Sequence, residues 1–302
     1  MRNPRLAAAL KRPMLADVPT IAITLGDPAG IGPEIIDRAL ATGGWRDDIR
    51  FLVLGDRSAG VPGKPTAQSA KAAWQALDES VELLRDGRAD AVVTGPVAKS
   101  GLQAIGFPHP GQTEFYARAF QVEDFGMVLS GPRLTVGLAT IHEPLAQVSS
   151  LLSKAAIVRI GRLTAEFLKR RHPHKPARIA VAGLNPHAGE NGAFGDEEAR
   201  VIAPAIAQLQ ALGVAEFSGP HVPDAIFRNA MLGRHDAVIA MYHDQGLIPL
   251  KLLDFEHAVN LTLGLPFVRT SPDHGTAFGI AGTGQADASS MLAAIRLACE
   301  LV

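Results

Sequence analysis

Along this chain short apolar runs alternate with stretches whose apolar positions recur every three or four residues. Pro19-Thr-Ile-Ala-Ile-Thr-Leu reads as a strand, followed by the glycine-rich turn Gly26-Asp-Pro-Ala-Gly-Ile-Gly-Pro-Glu34. A helix is expected from about Pro33, because a first helical turn does not need the N–H that proline lacks. Arg50-Phe-Leu-Val-Leu-Gly is a second strand, and Ala73, Leu77, Val81 and Leu84 mark a helix between Ala67 and Arg85. Asp90-Ala-Val-Val-Thr returns as a strand ending in Gly95-Pro-Val-Ala-Lys99. Gly131-Pro132 between Phe125-Gly-Met-Val-Leu-Ser and the run from Leu134 predicts a hairpin. Ile157, Ile160, Leu163 and Phe167 form a helical stripe that ends near Arg170-Arg-His-Pro173. Further helices are expected from about Glu197 and from Ser289 to Leu301. Strands alternating with helices predict an α/β protein with a largely parallel sheet.

Three of the apolar runs end on histidine. Leu134 to Ile141 leads to His142, Ala177 to Pro186 leads to His187, and Asp236 to Tyr242 leads to His243. Loops at the carboxyl ends of strands hold ligands in open α/β sheets, and neutral imidazole is the commonest metal-ligating side chain. One such histidine alone is more often structural or solvated; three in equivalent places favour convergence on one divalent ion. Asp244 follows His243, and Asp224 lies upstream in a proline-rich loop. Oxygen donors beside imidazoles suit a catalytic Zn, Mn, Co or Mg site better than a closed structural one.

The totals narrow the classes. With 29 Lys+Arg against 30 Asp+Glu and a formal net charge of -1, no general attraction to nucleic acid or to an anionic membrane is expected. Three hundred and two residues allow one large or two moderate domains. The single cysteine, Cys299, excludes an intrachain disulfide framework and any multi-cysteine zinc site, which is compatible with a reducing, cytoplasmic setting. Near the start, Lys11-Arg12-Pro13 interrupts Leu6-Ala-Ala-Ala-Leu before it reaches the roughly 7–15 apolar residues of a secretory signal. Residues 1–18 are therefore expected to be a disordered leader, and no uninterrupted apolar stretch reaches the roughly 20 residues of a membrane span.

Lys251, after Gly246-Leu-Ile-Pro-Leu, and Arg269, after Leu263-Gly-Leu-Pro-Phe-Val, are candidates for oxyanion recognition together with Asn260. Arginine offers a planar fork and lysine a point charge; the plain alternative is two surface cations at strand ends. The loop from Gly26 to Glu34 is not Gly-x-Gly-x-x-Gly, so any nicotinamide cofactor binds outside the usual dinucleotide fingerprint.

Several segments together resemble the 4-hydroxythreonine-4-phosphate dehydrogenase family of pyridoxal phosphate synthesis, over nearly the whole chain from about Thr20. They are Gly26 to Glu34, Thr94-Gly-Pro-Val97, Gly183-Leu-Asn-Pro-His-Ala-Gly-Glu190, Met241-Tyr-His-Asp-Gln-Gly246 and Arg269-Thr-Ser-Pro-Asp-His-Gly-Thr-Ala277. Gly-Ile-Gly-Pro-Glu and His-Gly-Thr-Ala are also similar to elements of the isocitrate and isopropylmalate dehydrogenase superfamily. The resemblance implies a two-domain fold of that type with the active site in the interdomain cleft. Residues 19–118 plus 262–302 would form the cofactor-side domain, and 119–261 the metal, substrate and dimerisation domain. It further implies a homodimer with shared active sites and a phosphorylated small-molecule substrate. His142, His187 and His243 match the metal ligands, with His243 expected to cross from the partner subunit and Asp224 near the metal. Thr113, Lys251, Asn260 and Arg269 match substrate contacts. Asp273, His274, Gly275, Thr276, Ala277 and Gly282 resemble the segment that binds NAD or NADP. The implied reaction is metal-dependent oxidation of 4-phosphooxy-L-threonine, then decarboxylation to 3-amino-2-oxopropyl phosphate. No residue is assigned as proton donor.

The chain departs from the family in two places. Gly111-Gln-Thr-Glu114 stands where the family has Gly-His-Thr-Glu, and Gln112 keeps a donor and an acceptor but carries no positive charge. The stretch between Gly55 and Ala67 is also short. The first departure keeps other substrates in play: a threonate or erythronate phosphate, or a cis-dihydrodiol carboxylate. A non-catalytic metabolite-binding protein on the same scaffold is the alternative from another class.

Overall fold

The computed structural model describes residues 18–302, so all but the last residue of the expected leader lies outside the described residues. The chain runs β1 (Thr20–Thr24), α1 (Gly32–Ala41), β2 (Arg50–Leu54), α2 (Ala67–Arg85), β3 (Ala91–Thr94), α3 (Lys99–Ala104) and α4 (Gln112–Ala119). It continues with β4 (Gly126–Ser130), β5 (Thr135–Leu138), α5 (Leu145–Leu151), α6 (Lys154–Arg171), β6 (Arg178–Ala182), α7 (Ala203–Leu212), β7 (Glu216–His221) and α8 (Pro223–Met231). The last elements are β8 (Ala237–Ala240), α9 (His243–Asp254), β9 (Val259–Leu263), β10 (Val268–Pro272) and α10 (Ser289–Leu301).

The strands form one 10-stranded sheet in the order β2-β1-β3-β10-β9-β4-β5-β8-β6-β7. Strands on either side of the middle pair in parallel, as the alternation of strands and helices requires. Antiparallel pairing is confined to β10–β9, β9–β4 and β4–β5. The last of these is the predicted hairpin, closed by Gly131 N–H to Leu134 O at 2.8 Å.

Side-chain alternation along the strands sorts the core into faces. On one face a single cluster is continuous from Ile21 and Ile23, under Ile35 and Ile295, to Ile179 and Ile239, under Ile157 and Leu209. On the other face two clusters stand apart: Ala22 and Val92 with Leu77 and Tyr116, and Ala180 and Val238 with Ile226 and Leu250. A cavity of about 340 Å³ touches Leu102 and Phe107 of the first and Met127 of the second. The cleft is thus a gap in an otherwise filled face.

One strand-end assignment changes. Gly246-Leu-Ile-Pro-Leu is helical, inside α9, so Lys251 sits on a helix and not at a strand end. Leu247 and Leu250 are buried by that helix, and a Cβ added at Gly246 would come within 2.6 Å of Val136 Cγ1. This close packing on β5 outweighs the helix hydrogen bond that Pro249 cannot make.

Candidate active site

The cavity opens along the carboxyl ends of β3 and β10 and the start of α4. Its lining includes Gln112, Thr113, His142, Asn260, Arg269, Asp273 and His274, which brings seven of the sequence candidates to one place. Lys99, His109 and Glu114 line it as well.

Arg269 dominates its electrostatics. As the second residue of β10 it points from the sheet toward the cavity and is 4% exposed. Its fork donates to Thr94 Oγ1 at 2.7 Å, to Thr262 Oγ1 at 3.0 Å and to Gln112 Oε1 at 3.0 Å. With Thr113 Oγ1 at 3.4 Å, all four acceptors are neutral, and no carboxylate forms an ion pair with it among the described residues. Its Nε is buried without a hydrogen-bond partner. Burial pulls the guanidinium down to about 10, which still leaves it charged at neutral pH. A buried cation held by neutral oxygens at a cavity wall is a site for an anion.

Gln112 has its amide fixed at both ends, accepting from Arg269 and donating from Nε2 to Gly95 O at 3.2 Å. It orients the guanidinium. Two more buried polar atoms in the cavity wall lack partners, Asn260 Oδ1 and His274 Nε2. His274 Nδ1 lies 3.0 Å from Gly275 O, so a proton on Nδ1 is taken by that carbonyl and Nε2 is left facing the cavity. Lys251 Nζ lies 3.1 Å from Asp273 Oδ2, which draws the helix-borne lysine to the cavity rim.

The glycine-rich turn after β1 supports this wall from behind. Gly26 has φ +73°, and a Cβ there would lie 2.2 Å from Pro96 O. Ile31 N–H donates to Thr276 O at 2.9 Å, and a Cβ at Gly30 would meet that same carbonyl at 2.8 Å. The turn therefore packs against the 273–282 segment. Within that segment Thr276 is buried, while Gly275 and Gly279 have open space where a Cβ would be, leaving backbone that a ligand can approach. An accessible backbone and the free His274 Nε2 fit a polar cofactor.

The three histidines do not all meet. His142 and His243 face each other with ring centroids 5.5 Å apart. Their strands β5 and β8 are neighbours, joined past their ends by Thr140 Oγ1 donating to Met241 O at 2.7 Å. Desolvation, then Lys99 and His243, hold the His142 imidazole below its ordinary range, so it is neutral and able to ligate. His243 Nδ1 is 2.7 Å from Asp244 Oδ1, which fixes the ring and leaves Nε2 outward. His187 is exposed in a turn where His187, Ala188, Gly189, Glu190 and Asn191 all have positive φ, and its ring packs beside Phe194. Asp224 is exposed in the first turn of α8. Among the described residues no group of three or more His, Cys, Asp or Glu can hold a metal within one chain. His142 and His243 are thus the two candidate histidines that the chain brings together, and a catalytic metal site needs about three protein donors.

Sequence reading passed over Lys99, His109 and Glu114. Lys99 was readable as a cation just beyond a strand end. His109, packed edge-on against Phe107 and Phe115, gave no such signal.

Sheet order and cleft place the chain among α/β proteins of the isocitrate dehydrogenase type. At the level of fold alone, isocitrate dehydrogenase from Methylococcus capsulatus is similar, with a TM-score of 0.53 and 17% identity over 93% of this chain and 85% of that one. The chain belongs to the family of the pyridoxal phosphate biosynthetic protein PdxA, whose model matches residues 34–298. It is 44% identical to 4-hydroxythreonine-4-phosphate dehydrogenase of Geobacter metallireducens, covering 94% of this chain and 95% of that one. It is 41% identical to D-threonate 4-phosphate dehydrogenase of Salmonella typhimurium, covering 93% and 98%. The crystal structure of 4-hydroxythreonine-4-phosphate dehydrogenase from Klebsiella pneumoniae is similar with a TM-score of 0.79 and 39% identity, covering 94% and 99%.

Proposed function

We propose that this chain oxidises 4-phosphooxy-L-threonine with NAD or NADP and a divalent metal ion, with decarboxylation to 3-amino-2-oxopropyl phosphate in pyridoxal 5'-phosphate synthesis. The observation that carries this reading is Arg269: a buried, charged guanidinium with no carboxylate in ion-pair contact among the described residues, facing the cavity. It favours a phosphorylated substrate over a cis-dihydrodiol carboxylate, because a phosphate brings more negative charge and more acceptor oxygens to the guanidinium than a single carboxylate does. Relatives that bear the dehydrogenase names favour catalysis over silent binding.

The chain's own groups divide the work. Arg269 and Thr113 bind the phosphate, with Gln112 orienting the guanidinium. Asn260 and Lys251 hold the rest of the substrate, and Asp273 keeps the lysine at the rim. His274 and the backbone of Gly275, Thr276, Ala277 and Gly282 bind the nicotinamide cofactor, which accepts the hydride. His142, His187 and His243 would together hold the metal, which would polarise the substrate hydroxyl and lower the cost of its ionisation. The donor set would be shared across a homodimer, with His243 as the ligand that crosses from the partner subunit. Two lobes, 19–118 plus 262–302 and 119–261, flank the cleft, and the protein works in the cytoplasm.

The test is NAD(P)H formation from 4-phosphooxy-L-threonine, with and without EDTA, beside threonate and erythronate 4-phosphates. The expected outcome is chelator-sensitive turnover selective for the threonine phosphate. Preference for threonate 4-phosphate, the reading that Gln112 and the Salmonella relative favour next, would move the protein to another pathway. Absence of turnover with all three would leave a dihydrodiol carboxylate as substrate or the non-catalytic binding protein.

A further inference from the structure

We infer that Lys99 is a substrate-binding residue, supplying the free charged donors that hold the substrate phosphate at the start of α4. The inference rests on the phosphorylated-substrate reading above and adds a residue to it.

The donors around Arg269 are already committed. Its two terminal nitrogens bond Thr94, Thr262, Gln112 and, at 3.4 Å, Thr113, which leaves Nε as the one unpaired N–H. Gln112 Nε2 is spent on Gly95 O, and Lys251 Nζ is paired with Asp273. Arg269 thus gives the cavity a positive field but little free hydrogen-bonding capacity. Lys99 is the reverse case. It opens α3 just beyond β3, is exposed to solvent and lines the same cavity. Among the described residues its ammonium group makes no hydrogen bond and no ion pair, so its donors are free for a ligand.

The end of Lys99 lies over the residue that begins α4. A Cβ added at Gly111 would lie 3.7 Å from Lys99 Cε and 4.0 Å from Nζ, with Glu114 Oε2 on the same side at 3.1 Å. Gly111 has no side chain to cap the helix, so the N–H groups of its first turn, beginning at Gln112, are left for water or an anion. Gln112 in turn bonds the buried Arg269. Lys99, the first turn of α4 and Arg269 therefore surround one corner of the cavity. Charge identifies what fits there. A phosphate monoester carries about 1.5 to 2 negative charges at neutral pH, more than one guanidinium balances. The family has histidine where this chain has Gln112, which adds no charge; Lys99 supplies the second cation.

The experiment is calorimetric titration of the full-length protein with inorganic phosphate, with 4-phosphooxy-L-threonine and with unphosphorylated 4-hydroxy-L-threonine. Lys99→Met and Lys99→Arg are compared with the parent and with Lys154→Met, which removes an exposed lysine at the start of α6, outside the cavity. We expect Lys99→Met to bind phosphate and 4-phosphooxy-L-threonine at least about tenfold more weakly, as loss of a charged hydrogen bond requires. Its urea midpoint stays parental, Lys99→Arg recovers most of the affinity, and Lys154→Met binds as the parent does. If Lys99→Met keeps parental affinity for both, or loses it for 4-phosphooxy-L-threonine but not for inorganic phosphate, the inference fails and the phosphate reading stands. A Lys99→Arg variant as weak as Lys99→Met overturns it too, because charge at that position would then not matter. If the parent binds 4-hydroxy-L-threonine as tightly as its phosphate ester, the phosphorylated-substrate reading fails and takes the inference with it.

Discussion

Arg269 sits where desolvation is most costly to a cation, and the chain answers with hydroxyls and one amide instead of a carboxylate. That choice keeps the charge available to a ligand. It also gives Gln112 a role that its residue type did not reveal. In the sequence Gln112 is a donor and acceptor without charge where the family has histidine; in the fold its acceptor is spent on Arg269 and its donor on Gly95. Removing the amide in Gln112→Ala frees the guanidinium to rotate, and KM for the phosphorylated substrate should rise about tenfold, near 1.4 kcal/mol, with kcat little changed. Gln112→His restores a group that can carry charge and should lower KM below that of the parent. Steady-state kinetics of the two variants decides the matter: a parental KM in both would remove residue 112 from recognition. What was legible here was residue type. Burial and the absence of a counter-ion depend on which strand faces the cavity, and no local pattern around Arg269 encodes that.

At the scale of elements, the apolar runs announced the strands that lead to the histidines, and β5, β8 and β6 are indeed consecutive in the sheet. Their order in space was not legible, because β8 inserts between β5 and β6 only through long-range pairing. Nor was the left-handed turn at 187–191, which places four non-glycine residues where L side chains are disfavoured. The buried Glu198 accepts from the N–H groups of Leu184 and Asn185 at 2.8 Å each and holds the approach to that turn. The other end of β8 is held by Asp236, which accepts from Arg178 N–H at 2.8 Å and from Lys175 Nζ at 2.6 Å. Burial opposes the charge of Asp236, but the hydrogen bonds from Arg178 and Lys175 overcome it and hold the carboxyl at about 2. A folded-state pKa below the ordinary value of 3.8 contributes stability that is complete above that value and is lost as pH falls toward about 2. Urea midpoints should therefore drop between about pH 4 and pH 2. In Asp236→Asn the midpoint should be lower at neutral pH and the acid slope shallower; an unchanged slope would assign the acid loss to other carboxylates.

The whole molecule presents one feature that a monomer does not use. Ile248, Leu252 and Phe255 are 60%, 80% and 71% exposed and recur at helical spacing along α9 and its C-terminal end. Lys251 Nζ lies 5.7 Å from the Phe255 ring centroid and 3.1 Å from Asp273, so this apolar stripe borders the cleft. The helix that bears the stripe begins with His243, and among the described residues no third candidate ligand joins the His142–His243 pair. In the proposed homodimer a second copy would seat on this stripe, where burial of large apolar side chains contributes about 1.5–3 kcal/mol each, and would bring the further imidazole that the proposed metal site needs. Leu252→Glu tests the connection. The side chain is solvent-facing in the single chain, so the variant should fold with parental circular dichroism, yet a buried carboxylate in the contact should drive dimer to monomer in sedimentation. If the metal site is shared, Co²⁺ binding falls with the dimer fraction as protein concentration is lowered. A monomeric Leu252→Glu that binds Co²⁺ as tightly as the parent would make each subunit complete in itself, and His187 would then have to reach the His142–His243 pair by movement of its own turn.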